Sequence, residues 1–379
     1  MKSGIIGFAA LLAATLVAFS CQQKADEGSD IAPVLKVPRE LEAATGGSQF
    51  VKVAAVGEWA LSVNYIDQDG WIHLSKTTDS GNASVDMTID PNEEETPRKA
   101  NLVLKSGKFE VEKEITQLGK VTAATSGWLE LPAFDPSSSD FFFGTHSMDG
   151  GAYENQEKSG VRNWSFYYDY AAYVSWWVAY PMNRGLRGSG SRSDSWQSTD
   201  PLLPANKVCD VTFTYGGGWT RGHQIPSADR LDYDANVSTF YPTNMTPQDY
   251  DLNSGIWANL EQFVRDASFN SDTLYVCTGA DVRYSTTLSG NNTGHRAKVP
   301  THYYKALLRK RGSNYSAVGY YMPHTSSIAG DDYRNYVCSV RELEENTGID
   351  FFVNLPALLG KEQAEAIETA SPSETLINW

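Results

Sequence analysis

Positions 33–118 hold six short runs in which apolar and polar residues alternate: QFVKVAAVG, WALSVNYI, WIHLSKTT, ASVDMTID, KANLVLKSG and FEVEKEITQ. Successive side chains on a strand point to opposite faces, so Val85, Met87 and Ile89 fall on one side, as do Leu102 and Leu104. A helix would scatter them around its axis. Turn-forming residues separate the runs: Gly46-Gly47, Asp69-Gly70, Asp90-Pro91-Asn92 and Ser106-Gly107. This many short strands in so little chain predicts an all-β, immunoglobulin-like sandwich over 33–118.

Residues 1–20 read as a targeting segment. Lys2 supplies a positive end, and Ile5–Phe19 is an apolar stretch too short for a stable membrane span. Ala18-Phe19-Ser20-Cys21 closes it, and a small residue directly before Cys resembles a bacterial lipobox. The resemblance implies cleavage before Cys21, lipidation of its sulfur, and an anchor in the bacterial outer membrane, facing the periplasm or the cell surface. Lys24-Ala-Asp26-Glu27 is similar to the surface-export tag of some Gram-negative lipoproteins. Residues 21–32 are small, polar and charged, as in a flexible tether. Export permits a disulfide. Cys209 and Cys277, both in strand-like runs, pair if those strands are neighbours and otherwise stay buried thiols; Cys338 makes the count odd.

Residues 119–379 follow a different pattern. A mixed connector runs to about residue 163. Strands are expected at Ser165–Tyr170, Val174–Tyr180, Leu274–Thr278 and Ser316–Met322. A helix is expected over Leu252–Phe269, with further helices near Arg341 and over Pro356–Ala370. Irregular alternation of sheet and helix gives an α+β domain. The formal net charge of −15 excludes wrapping nucleic acid by bulk attraction. A local basic cleft remains open. Between Arg283 and Arg311 there are seven Lys or Arg and no Asp or Glu, which is either a phosphate-facing surface or a solvated face.

The chemistry concentrates in 221–265. Arg221 and His223 are expected to share a tight turn at Gly222, after Thr214-Tyr-Gly-Gly-Gly218. Imidazole, with an ordinary pKa near 6.5, is a competent base at neutral pH, and a guanidinium forks onto phosphate oxygens. Asn253 is expected to open the helix, either as its N-cap or as a ligand, through its amide oxygen, for a mostly hydrated Mg²⁺. Steps of four then place Asn253, Trp257, Glu261 and Arg265 on one stripe. Asn253 and Glu261 lie about 12 Å apart along a regular helix, so Glu261 fits a carboxylate that orients a metal-bound water; its other role is a surface pair with Arg265.

These residues resemble the DNA/RNA non-specific endonucleases of the ββα-metal class. The matching pieces are Thr220-Arg221-Gly222-His223, Asn244-Met-Thr-Pro247-Gln248, Leu252-Asn253, Trp257-Ala-Asn-Leu260-Glu261 and Arg265. Trp177–Pro181, Val299–Lys305 and Glu344–Phe352 also look like family segments. The resemblance implies a central, mostly antiparallel sheet and hydrolysis of DNA or RNA to 5′-phosphate products. It implies His223 as general base, Arg221 and Arg265 on phosphate, and Mg²⁺, Mn²⁺ or another divalent cation on Asn253 with Glu261 holding a metal water. Asn244 would orient His223 or the strand around it. Thr220 stands where the family carries Asp, which puts imidazole orientation in doubt. Trp59-Ala-Leu-Ser-Val, Trp71, Asp90-Pro91-Asn92, Pro97-Arg98 and Ile115-Thr-Gln117 resemble the BACON domain, which implies carbohydrate as a partner; the plain reading is a spacer with Trp59 and Trp71 in its core. Two other functions fit the chain: another phosphoesterase on the same scaffold, or a noncatalytic surface-binding lipoprotein.

Overall fold

The structure, a computed structural model, describes residues 31–38, 40–42, 46–94, 96–119, 127–136, 138–148, 161–290, 296–376 and 379. The targeting segment, Cys21 and the tether up to residue 30 lie outside the described residues.

The N-terminal region contains nine strands: β1 (Val34–Lys36), β2 (Leu41–Glu42), β3 (Gly47–Ala54), β4 (Glu58–Tyr65), β5 (Ile72–Leu74), β6 (Thr78–Ser80), β7 (Ala83–Ile89), β8 (Arg98–Ser106) and β9 (Phe109–Gln117). They form two sheets, β1-β3-β7-β5 and β2-β9-β8-β4-β6. Alternate residues of β3 and β7 face inward, with Val51 opposite Val85. Leu102, Leu104 and Ile115 meet them from the other sheet, and Trp59 and Trp71 fill the space between. Both tryptophans are core, as the spacer reading expects.

The second region is built on seven antiparallel strands: β10 (Phe141–Ser147), β11 (Arg162–Asp169), β12 (Val174–Met182), β15 (Thr273–Asp281), β16 (His302–Arg311), β17 (Asn314–Pro323) and β18 (Val337–Cys338), in that spatial order. A separate hairpin pairs β13 (Thr220–His223) with β14 (Met245–Gln248). Layers cover both faces of the large sheet, so β11 and β12 are buried almost end to end and lose the alternation of a half-exposed strand. One face packs Trp164, Phe166 and Tyr180 against Ile225, Met245, Leu252 and Leu260, which come from the hairpin and the helical segment after it. The other packs Tyr167, Trp177 and Leu308 against Leu343, Phe351 and Phe352. The helix Val340–Thr347 begins in a capping box between Ser339 and Glu342 and ends at Gly348, whose φ of 68° suits a residue without Cβ.

Three sequence expectations change. Strand β10 lies within the stretch read as connector, and β16 was not read as a strand at all. Cys209 sits outside any strand and packs on the face of the sheet opposite Cys277, so the two thiols do not pair; none of the three described cysteines is in a disulfide. The basic run 283–311 is not one surface. Arg283 is bound by Asp281, Lys305 is fully buried, and Arg309 is buried against Asn270 and Ser271.

Candidate active site

Arg221 and His223 occupy a strand, not a tight turn. Gly222 is required for space: a Cβ there would stand 2.2 Å from Oε1 of Gln248 on the paired strand. Thr220 donates its hydroxyl to the Gln248 carbonyl at 2.8 Å, which ties the start of β13 to the end of β14. Asn244 is fully buried, and its side chain hydrogen-bonds to backbone groups and not to the His223 ring. Its amide oxygen accepts from the Ile225 backbone N–H at 2.9 Å, and its nitrogen donates to the carbonyls of Ile225 (2.9 Å) and Thr239 (2.7 Å). It therefore fixes the backbone two residues beyond His223, just past the end of β13.

The helical segment begins earlier than expected. Asp249 caps it by accepting from the Leu252 N–H at 3.0 Å, so Asn253 is not the N-cap. Asn253–Trp257 form a widened π turn, with Gly255 at φ −100° and ψ −113°, before regular helix resumes over Ala258–Phe269. A Cβ on Gly255 would meet the Ala329 carbonyl at 2.4 Å, so this residue permits the close approach that widens the turn. Trp257 turns into the core, while Asn253, Glu261 and Arg265 remain on the open side.

Hairpin and helix close on one cleft of about 470 Å³, lined by Arg221, His223, Asn253, Glu261 and Arg265 together with Arg192, Trp196 and Tyr250. A larger cleft of about 710 Å³ lies between the sandwich and the second region and holds none of the candidate residues. His223 is half-buried. Its ring stands edge-on to Phe240, with centroids 5.0 Å apart, and 5.4 Å from Trp196, and its Nε2 is buried without a partner. Burial, reinforced by the guanidinium groups of Arg192 and Arg221, pushes the imidazole down to about 3. The ring is thus neutral across the physiological range, and in this setting it is a weaker proton acceptor than the ordinary imidazole expected from sequence.

Arg221 stacks on Trp196 with its central carbon 3.5 Å from the ring centroid, and its Nη1 donates to the carbonyls of Val211 (2.9 Å) and Thr212 (3.1 Å). Arg265 does not pair with Glu261. It donates to Asp229 at 3.2 Å and to Gln262, and Asp229 also accepts from the Tyr180 hydroxyl at 2.8 Å. Burial pushes the Glu261 carboxyl up, and the Lys305 ammonium pulls it back. Lys305 is pushed down by burial in turn; its Nζ donates to the Thr278 hydroxyl at 3.0 Å and lies 4.5 Å from the Trp257 ring centroid. Neither the Asn253 amide nor the Glu261 carboxylate is hydrogen-bonded to any described side chain, so both stay available to the cleft.

Four residues at or beside this site were not assigned from sequence. Lys305 had a signal: a lysine among Tyr303, Tyr304, Ala306, Leu307 and Leu308 must find a partner if that strand is buried. Asp229 lay inside the informative run. Arg192 and Trp196 sit in a Gly/Ser-rich stretch that carries no periodicity.

Among the described residues no cluster of three or more His, Cys, Asp or Glu could hold a metal. The donors present are the Asn253 amide oxygen and, elsewhere in the same cleft, the Glu261 carboxylate. That set fits a hard divalent cation that keeps most of its waters, and does not fit a zinc-type cage.

The family model for DNA/RNA non-specific endonucleases matches residues 150–358. The chain belongs to that family. The family is one of divalent-metal-dependent nucleases, and its ββα fold is the one described above. The BACON model matches residues 62–118. A "Nuclease" of Nostoc sp. is 34% identical over 190 residues, 47% of this chain and 67% of that protein. "Nuclease EXOG, mitochondrial" of Xenopus laevis is 29% identical over 51% of this chain and 57% of its own length. "Endonuclease G, mitochondrial" of Bos taurus is 28% identical over 50% and 66%. The chain thus spans between just over half and two thirds of these relatives. A chain of the crystallised EndoG/EndoGI complex aligns at TM-score 0.47 and 19% identity, over 62% of this chain and 94% of that one.

Proposed function

We propose that the chain is a lipid-anchored, metal-dependent endonuclease that hydrolyses phosphodiester bonds of DNA, RNA or both and leaves 5′-phosphate ends. The observation that carries this reading is the convergence of His223 and Arg221 from a hairpin with Asn253, Glu261 and Arg265 from a helix on one cleft. Neutral His223 takes the proton from the attacking water. Arg221, held by Trp196 and two carbonyls, presents its remaining N–H groups to a phosphate oxygen. Arg265, fixed by Asp229, adds positive charge at the far wall. Asn253 would hold the cation through its amide oxygen, and Glu261 would orient its waters. Mg²⁺, or Mn²⁺ in its place, would neutralise charge on the phosphate and the leaving 3′ oxygen.

Supercoiled plasmid and an RNA transcript, incubated with Mg²⁺, Mn²⁺ or EDTA, test the reading. Cleavage with cation, none in EDTA, and ends that ligate without prior phosphorylation are expected. Inertness with every cation sinks the nuclease reading, and undiminished cleavage in EDTA removes its metal.

In the same reading Cys21 carries the lipid and anchors the chain to the outer membrane, and the sandwich holds the nuclease away from it. Its two tryptophans are buried and Phe50 is its one exposed aromatic among the described residues, which favours a spacer over a carbohydrate platform. Labelled palmitate should enter the parent and not Cys21→Ser; equal labelling of both excludes this anchor.

A further inference from the structure

The cleft has little uncommitted positive charge. Arg192 is bound to Asp194 at 2.6 Å and Arg265 to Asp229 at 3.2 Å. Arg221 has one nitrogen on two carbonyls and one face on Trp196. Carboxylates stand close by at Asp229 and Glu261, and the chain as a whole carries −15. Of the run 283–311, Arg283 is bound by Asp281, and Lys305 and Arg309 are buried, and none of its described residues lines this cleft. A duplex presents its phosphates outward and hides its base faces, so it must be held largely by cations. This site is poorly equipped to do that.

The rim is aromatic instead. Tyr250 lines the cleft with Asn253 and is 64% exposed. Phe213, 62% exposed, stands between Thr212, whose carbonyl holds Arg221, and Thr214, which lines the cleft. Tyr233, 68% exposed, follows two residues after Leu231, another lining residue. None of the three makes a ring contact with another aromatic among the described residues, and each is more than half exposed. One exposed ring in the lining of the cleft, and two more that neighbour lining residues in sequence, suit the flat faces of unstacked bases, and they do so without regard to base identity.

We infer that this cleft takes its nucleic acid as an unpaired strand, with bases stacked on Tyr250, Phe213 and Tyr233 while Arg221 meets a phosphate. The inference rests on the nuclease reading and names the form of substrate that the same site selects. A duplex is then cut where it is open: at loops, gaps, frayed ends and the stretches that supercoiling unwinds.

The test uses the full chain carrying His223→Ala, so that binding is read without turnover. Fluorescence anisotropy compares a short single-stranded oligonucleotide with the same sequence as a blunt duplex. The single strand should bind about tenfold more tightly, with a shallow salt dependence. Adding Tyr250→Ala should weaken single-strand binding about tenfold and leave the duplex unchanged, and Tyr250→Trp should restore it. Equal affinity for both forms, or an unchanged single-strand affinity in Tyr250→Ala, overturns the inference while leaving a nuclease intact. Binding of neither form overturns the nuclease reading and this inference with it. In the active chain a hairpin oligonucleotide gives a second readout: cuts should fall in its loop, and equal cutting of loop and stem contradicts the inference.

Discussion

The sandwich and the nuclease region both rest on antiparallel sheet, yet they bury different chemistry. In the sandwich, β3 and β7 alternate strictly, one face on the core and one in solvent. Buried polar groups in it pair with one another, as Gln49 does with Glu42 and Arg98 with Gln117. In the nuclease region the sheet is covered on both faces, and groups that are costly to desolvate lie inside it: Lys305 fully buried, Glu261 pushed up beside it, Asp229 holding Arg265, and His223 stripped of its proton. One region solves the problem of folding and little else. The other keeps strained electrostatics that packing alone would discard, and such strain collects where chemistry is done. Four substitutions or conditions probe that contrast, and a dissection of the chain decides it.

His223→Ala should have the largest effect. Turnover should fall about 10²–10⁴-fold while nucleic-acid affinity holds, because the arginines and aromatics remain. Parental turnover in this variant would falsify the assignment of the base. Asn253→Ala comes next. Its side chain holds nothing else in the fold, so the melting temperature should stay put while metal-dependent cleavage drops at least about a hundredfold, beyond what loss of a merely supporting group produces. A variant that loses stability in step with activity would instead make Asn253 a structural residue.

Acid should separate the regions more gently. His223 titrates at about 3 in the folded chain against 6.5 ordinarily. The unfolded chain therefore binds a proton that the folded chain refuses. The stability this contributes is fully present above about pH 6.5 and is lost as pH falls towards 3. Melting temperatures between pH 7.5 and 4.5 should fall more steeply for the parent than for His223→Asn; parallel slopes would show that the imidazole is not held neutral. For the same reason the pH–rate profile should lack an inflection at 6.5. The smallest effect is expected from Thr220→Val, which removes the 2.8 Å bond to the Gln248 carbonyl and should cost about 1 kcal/mol. A denaturant midpoint unmoved by the change would show that the hairpin does not depend on it.

The same contrast explains what could be read from the chain. Six of the nine strands of the sandwich were legible because period-two alternation survives wherever one face of a strand meets water, whereas β1, β2 and β6 are too short to show it. In the nuclease region β11 and β12 were recognisable by aromatic and branched residues, whereas β16 was hidden by its lysine and arginines and β10 by its position among loop residues. The identities of His223, Asn253 and Glu261 were legible from spacing and resemblance, but their setting was not. The glycine between Arg221 and His223 suggests a turn when read locally; only the paired strand shows that Gln248 occupies the space. Asn253 beside an acidic stretch suggests a cap; the real cap is Asp249, and Gly255 against Ala329 widens the helix just where the amide must face the cleft. Steps of four made Glu261 and Arg265 partners, yet a buried Asp229 captured the arginine from another element. Contacts between segments distant in sequence leave no periodic trace.

If function resides in the second region alone, residues 121–379 expressed without the sandwich should fold, cut single-stranded DNA or RNA in the presence of Mg²⁺ at close to the rate of the full chain, and lose that activity with His223→Ala. Circular dichroism and thermal melting establish folding, and the cleavage rate decides the matter. A fragment that is folded and inert, or that regains activity only when residues 31–119 are added back, would contradict the account, because the sandwich would then be part of the site and not its spacer.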